Sequence, residues 1–228
     1  VAQSAAARLW LGRLDAFGDD LGSDWLCDDE ANRLQAMTAE VRRRSFLAGH
    51  WQARVLAADW LQVEARRIAL HRHDDGRPQL VVDGAASPLS LSVSHSGDWL
   101  AIALAVVPVG VDVELPRRQR DLRALARFTF SPEEVASLDR LDDNDYSLAF
   151  HRFWTLKEAR GKRSGTGLLP AASRRLTSLP SGVDTAEATS WMFGDGALSV
   201  AIEPGMPVDI VGGEGLHTPA HWRYREDV

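Results

Sequence analysis

The sequence predicts an α+β chain of two similar halves, a pseudo-dimer in which each half packs a long helix on a small antiparallel sheet. Three observations predict it. Helical spacing of apolar residues marks two long stretches, Ala31 to Leu61 and about Tyr146 to Lys162. Strand-like runs in LSLSVSHSGDWLAIALAV and SWMFGDGALSVAI each carry a Gly-Asp turn. The halves also echo one another: SFLAGHWQAR resembles AFHRFWTLKEAR, which sets Trp51 and Arg54 beside Trp154 and Lys157. The predicted halves are residues 1–108 and 109–228, the second carrying the acidic residues discussed below.

Each element has a local reason. In the first helix Leu34, Met37, Val41, Phe46, Val55 and Leu56 are interspersed among Arg and Glu. DDGRP, Asp74 to Pro78, is a turn signal. Two strands follow Pro88, joined at Ser96-Gly97-Asp98. In the next strand, VPVGVDVEL, Val109, Val111, Val113 and Leu115 face one way while Asp112 and Glu114 face the other. An arginine-rich stretch runs from Pro116 to Arg127. Ser131-Pro132-Glu133-Glu134 reads as a helix start, with Ser131 as cap, Pro132 in the first turn and Glu134 completing a capping box. The second long helix places Ala149, Phe153, Leu156 and Arg160 on successive turns. Beyond Pro170 the chain becomes loop-rich.

At 228 residues and 45% hydrophobic content, the chain can bury a sizeable core. A net charge of -6 argues against bulk nucleic-acid binding. The single cysteine, Cys27, excludes an intrachain disulfide and a cysteine-based zinc site. VAQSAAARLWLG lacks the pattern of a signal peptide, and LAIALAVVPVGV is too short for a membrane span. The expectation is a cytoplasmic protein with no membrane and no nucleic-acid partner.

Asp112 and Glu114 share a strand face, and Glu158 follows on the second long helix. Three carboxylates form the oxygen-only set that a hard cation such as Mg²⁺ prefers, and phosphate chemistry commonly goes with it. The same spacing suits strand-end acids paired with nearby arginines. Trp154, Glu158 and Lys162 are four apart and share a helix face, flanked by Lys157. That arrangement suits a polyanionic ligand, and equally an ordinary exposed ion pair. Ser94-His95-Ser96-Gly97 reads as a turn able to hold phosphate oxygens, and Gly76-Arg77-Pro78 as a second turn.

In combination, GRP, SVSHSGDWLAIAL, VGVDVE, SPEE and FWTLKEARGK followed by Gly165 and Gly167 resemble the phosphopantetheinyl transferases of the surfactin-synthetase-activating type. The resemblance covers roughly Arg44 to Leu168 and rests on (V/I)G(V/I)D(V/I)E and W-x-x-K-E-x-x-x-K occurring in that order. It implies a monomeric, Mg²⁺-dependent transferase (Mn²⁺ being a possible substitute) of secondary metabolism. Such an enzyme moves the phosphopantetheine arm of coenzyme A onto a serine of acidic acyl or peptidyl carrier proteins, releasing 3′,5′-ADP. By the same resemblance, Asp112, Glu114 and Glu158 hold the metal, and Asp112, Glu158 and Lys162 carry catalysis. Arg54, Arg77, Ser94, His95, Lys157 and Lys162 contact coenzyme A, Arg54 near its 3′-phosphate. Departures are Arg77 in place of the family's lysine and Arg160 in place of an apolar or aromatic residue. The family's basic positions upstream of Phe46 have no one-to-one match, and Arg42, Arg43 and Arg44 stand in that region. The competing readings are a Mg²⁺-dependent phosphodiester hydrolase and an inactive module that binds coenzyme A or a carrier. Arg117, Arg118, Arg120, Arg123 and Arg127, with Leu122, Leu125 and Phe128 among them, suggest a docking surface for an acidic partner.

Overall fold

A computed structural model describes residues 6–18, 21–73, 75–116, 120–213 and 215–227. The elements in order are β1 (Ala7–Arg13), α1 (Asp28–Gln35), α2 (Glu40–Leu61), β2 (Ile68–Arg72), β3 (Pro78–Val82), β4 (Ala85–Ser96) and β5 (Trp99–Ala105). There follow β6 (Gly110–Glu114), α3 (Leu122–Thr129), α4 (Pro132–Leu138), α5 (Asp143–Ser164), α6 (Pro170–Ser173) and β7 (Leu176–Pro180). The chain ends with β8 (Ala188–Phe193), β9 (Gly196–Ala201), β10 (Val208–Ile210) and β11 (Ala220–Glu226). It divides into two compact units: Val1–Pro108 with Pro207–Glu214, and Val109–Met206 with Gly215–Val228. The class is mixed α+β.

In the first unit the sheet order is β10-β1-β5-β4-β3-β2, among the described residues. Pairing is antiparallel except between β1 and β10, where Ala7 to Leu9 run parallel to Val208 to Ile210. Leu56, Ile68, Leu70, Leu80, Leu91, Leu100, Ile102 and Leu104 form the core under α2. Leu56 comes from α2 itself, and strand alternation sends the other side chains to the helix-covered face, which removes their apolar surface from water.

The first helical stretch is broken where one continuous helix is expected. α1 ends at Gln35 and α2 begins at Glu40. The break is stabilised by Arg43, whose Nη1 donates to the Leu34 carbonyl at 2.7 Å and lies 3.4 Å from that of Met37. Folding back also lets Glu30 of α1 reach α2. Glu30 is 0% exposed; it pairs with Arg54 and meets His50 Nδ1 at 2.5 Å, while accepting the Cys27 N–H at 3.1 Å. A buried carboxylate needs these partners, because desolvation otherwise disfavours its charge.

In the second unit the sheet order is β6-β9-β8-β11-β7, antiparallel throughout the described pairs. α5 lies on it through Leu156 and Ala159, which pack with Ala188, Ala201 and Trp222. Phe130, Leu138, Tyr146 and Phe150 form a second cluster joining α3, α4 and α5. α4 starts as the sequence predicts: Ser131 Oγ accepts the Glu134 N–H at 3.3 Å and Glu134 Oε2 accepts the Ser131 N–H at 2.9 Å. α5 is longer than the expected span because Asp142 caps it, accepting the Asp145 N–H at 2.9 Å. The arginine-rich stretch contains α3, capped by Asp121. No helix among the described residues is long and apolar enough to cross a membrane.

Glu30 generates a pH prediction. Burial raises its pKa, but the His50 and Arg54 hydrogen bonds and charges outweigh that and bring it from 4.5 to about 2. Burial lowers the pKa of His50 itself, so Arg54 supplies the lasting positive charge. A depressed carboxylate pKa contributes stability that is present above about pH 4.5 and lost as pH falls toward 2. Urea denaturation of the wild type should therefore lose about 3 kcal/mol across that window relative to Glu30→Gln. A gap between the two proteins that does not change with pH would contradict the pairing.

Candidate active site

The site begins with a glycine. Gly110 opens β6 directly against α5, so closely that an added Cβ would lie 1.9 Å from the Ala159 carbonyl oxygen and 2.5 Å from the Arg163 nitrogen. Strand and helix thus meet backbone to backbone. Two residues beyond that contact, Asp112 (5% exposed) accepts a hydrogen bond from Lys162 Nζ at 2.8 Å. Lys162 also donates to the Val111 carbonyl at 3.1 Å.

Glu158 precedes Lys162 by one helical turn and so shares its face. Burial pushes the Glu158 pKa up to about 7; the negative charge of Asp112 adds to this, Lys162 opposes it, and Glu114 adds a further push. The second unit therefore brings Asp112, Glu114, Glu158 and Lys162 within mutual electrostatic reach. It contains more acid than one ammonium neutralises, and its donors are oxygens suited to a hard cation. As placed, no group of three or more His, Cys, Asp or Glu side chains among the described residues converges tightly enough to hold a metal. The fit to a cation is thus one of charge and donor type.

Lys157 departs from the expected phosphate contact. It is 2% exposed, with Nζ 2.9 Å from Glu134 Oε2, 2.8 Å from the Ser173 carbonyl and 2.5 Å from that of Leu176. Burial lowers its pKa while the Glu134 carboxylate opposes that change. Arg54, in the first unit, departs in the same way. It is 0% exposed, committed to Glu30 and the His50 carbonyl, with its guanidinium 4.7 Å from the Trp25 ring. Both cations sit in the interior because the helix faces that carry them are the packed ones.

Ser94 and His95 lie in β4 rather than in a turn. The hairpin turn is Gly97-Asp98, since Ser96 pairs with Trp99 and Gly97 takes a φ of 56°. As consecutive strand residues they alternate, Ser94 buried and His95 exposed. Arg77 is half exposed and pairs with Asp75 at 2.7 Å. In the arginine-rich stretch, Arg123 reaches Asp139 and Asp143 at 3.3 and 3.1 Å and lies 4.3 Å from the Tyr146 ring. Arg120, Arg127 and Phe128 are exposed, whereas Arg117 and Arg118 lie outside the described residues.

Two features were not read from the sequence. His151 is 3% exposed, its Nδ1 donates to the Ser147 carbonyl at 2.7 Å, and it feels the charge of Glu114. Its spacing of seven from Glu158 was the available signal. A cavity of about 570 Å³ opens beside α5, lined in part by Arg160, Gly161, Leu168, Leu169, Ala172 and Arg175.

The backbone contact at Gly110 makes a direct prediction. Gly110→Ala should cost about 3 kcal/mol, because neither a helix carbonyl nor a helix nitrogen can move aside as a side chain does. Urea denaturation at neutral pH measures this, and a loss within experimental error would contradict the close approach.

Residues 108–200 match the family model of the 4′-phosphopantetheinyl transferase superfamily, and residues 22–106 match that of the 4′-phosphopantetheinyl transferase N-terminal domain. The 4′-phosphopantetheinyl transferase HetI of Nostoc sp. is 33% identical over 144 residues, covering 63% of this chain and 61% of that protein. AcpT of Salmonella typhimurium, also a 4′-phosphopantetheinyl transferase, is 36% identical over 126 residues, 55% of this chain and 60% of its own. The match to each spans under two thirds of that relative. A holo-(acyl-carrier-protein) synthase from Bacillus anthracis, solved with coenzyme A (3′,5′-ADP), aligns at a TM-score of 0.37 and 19% identity. That alignment covers 44% of this chain and 93% of the synthase. Consecutive stretches of the chain thus match one family, and the chain belongs to the 4′-phosphopantetheinyl transferases.

Proposed function

We propose that the protein transfers the phosphopantetheine arm of coenzyme A to a serine of an apo acyl or peptidyl carrier protein, with release of 3′,5′-ADP. The observation that carries this reading is the acidic group around Lys162, in which Glu158 is held at about pKa 7 by burial and by two further carboxylates. A protein does not gather such charge cheaply unless a cation or a basic group shares the site. Asp112, Glu114 and Glu158 would hold Mg²⁺, or Mn²⁺ in its place. When bound, the ion neutralises charge on the diphosphate of coenzyme A.

The bond changes follow from the substrates. The serine oxygen forms a bond to the phosphorus bearing pantetheine, and the bridging P–O bond to the other phosphate breaks. The serine proton leaves to a carboxylate of this group, for which Glu158 is the candidate. Lys162, which is paired with Asp112 here, would meet charge on the departing 3′,5′-ADP. Arg77, Ser94, His95 and the exposed Arg42 and Arg44 are the proposed contacts for the adenosine and phosphate end, Ser94 directly preceding His95 in β4. The two halves, 1–108 and 109–228, would be related repeats of one α+β plan. The enzyme is taken to act as a monomer on acidic carriers of secondary metabolism.

For carrier docking, α3 offers Arg127 beside Phe128, which is 62% exposed. An exposed aromatic flanked by positive charge suits the apolar and acidic helix of a carrier.

Incubation with coenzyme A, Mg²⁺ and a panel of apo-carriers should increase the mass of at least one carrier by one phosphopantetheine. Hydrolysis of phosphodiesters without carrier modification would replace this reading with the hydrolase. Asp112→Asn should lower transfer by about a hundredfold or more while leaving the fold intact. Near-normal turnover under limiting Mg²⁺ would remove Asp112 from the metal set. Arg127→Glu should raise the KM for carrier about tenfold and weaken its salt dependence, with the KM for coenzyme A unchanged. Unaltered carrier kinetics would move the docking surface elsewhere.

A further inference from the structure

The two units share a construction that goes beyond the sequence echo setting Arg54 beside Lys157. In each, a short helix opens with a buried glutamate that accepts the backbone N–H of its own cap: Glu30 from Cys27 at 3.1 Å, and Glu134 from Ser131 at 2.9 Å. In each, that glutamate also holds a buried cation from the following long helix, Arg54 in one and Lys157 in the other. α2 and α5 are both 22 residues long, beginning at Glu40 and Asp143, so Arg54 and Lys157 each fall at the fifteenth residue. An aromatic ring adjoins each cation, Trp25 at 4.7 Å and Phe130 at 5.8 Å.

Such a pair ties two helices at a defined point. The carboxylate is fixed to the first turn of the short helix, and the cation is fixed to one azimuth of the long one. Glu158 follows Lys157 by one residue, about 100° around the helix. Anchoring Lys157 inward therefore sets the direction in which Glu158, and Lys162 one turn on, must face. The ammonium has three donors, and Glu134, the Ser173 carbonyl and the Leu176 carbonyl use all three. None is left for a phosphate. Glu134 is likewise fully engaged, since its Oε1 accepts the Ser178 N–H at 2.8 Å.

We infer that Lys157 is a positioning residue: with Glu134 it clamps α4 to α5 and sets the rotation of α5 that presents Glu158 and Lys162 to β6, as Glu30 and Arg54 clamp α1 to α2. The kinetic consequence rests on the transferase reading. The geometric consequence does not.

The test uses Lys157→Met, Glu134→Gln, the double variant and the milder Glu134→Asp, each assayed where circular dichroism shows it folded. Transfer kinetics are read with coenzyme A and apo-carrier, and amide hydrogen exchange is followed over residues 156–162. Each single variant should lower kcat about tenfold or more, with the KM for coenzyme A within about twofold of wild type. The double variant should be no worse than the poorer single, since both changes remove one clamp. Exchange in that segment should rise in every variant. The inference is overturned if Lys157→Met raises the KM for coenzyme A about tenfold at unchanged kcat, as loss of a phosphate ligand would. It is equally overturned if the single losses multiply in the double variant. Should Lys157→Met fail to fold, Glu134→Asp decides, with unchanged kcat as the contrary result. If the wild type transfers nothing, the transferase reading falls. The clamp then stands or falls on whether Glu134→Asp raises exchange in residues 156–162.

Discussion

A charge can enter the interior only with its partner, and in each unit of this protein that rule settles where a long helix lies. Glu30 and Arg54 are both 0% exposed, and Lys157 and Glu134 nearly so. Neither member of either pair can be withdrawn without leaving the other desolvated and uncompensated, a loss on the order of 3–5 kcal/mol. The pairs therefore act as registration points more than as sources of net stability. Around the first, α1 folds back onto α2. Around the second, α4, α5, α6 and the start of β7 are drawn together, since the Ser173 and Leu176 carbonyls share the same ammonium.

The acidic site depends on that registration and on a second constraint, the absence of a side chain at Gly110. With the β6 backbone against α5, Asp112 reaches Lys162, and Glu158 comes under the influence of two other carboxylates. The opposite side of α5 is equally constrained: the Tyr224 hydroxyl donates to the Leu156 carbonyl at 2.7 Å, and Trp222 packs with Ala159. The helix is held on one side by apolar packing and the buried lysine, while its other side carries the acids. One element thereby serves both as core and as site.

Membership in the family and the chemistry of the site lie on different links of the argument. The family follows from consecutive matches along the chain, whereas the roles of individual residues follow from burial and distance. Lys157 shows why the distinction matters. Its place in the W-x-x-K-E-x-x-x-K pattern suggests a ligand contact, but its three donors are spent inside the protein. Lys162, two residues before the end of α5 and with its side chain 30% exposed, pairs with Asp112 of β6.

The sequence by itself determined the α+β class, the hairpin strands, the capping box at Ser131 and the second long helix, because each depends on local periodicity or cap chemistry. It also determined which acids share the strand VGVDVE and which lysine shares a face with Glu158, since both follow from the periods of strand and helix. Only the tertiary structure decided the break at Ala36, the parallel pairing of β10 with β1, and the strand placement of Ser94 and His95. It alone decided that Arg54 and Lys157 point inward. The reason is physical: a cation on an amphipathic helix carries no mark of which face is buried until a carboxylate distant in sequence, Glu30 or Glu134, arrives to neutralise it.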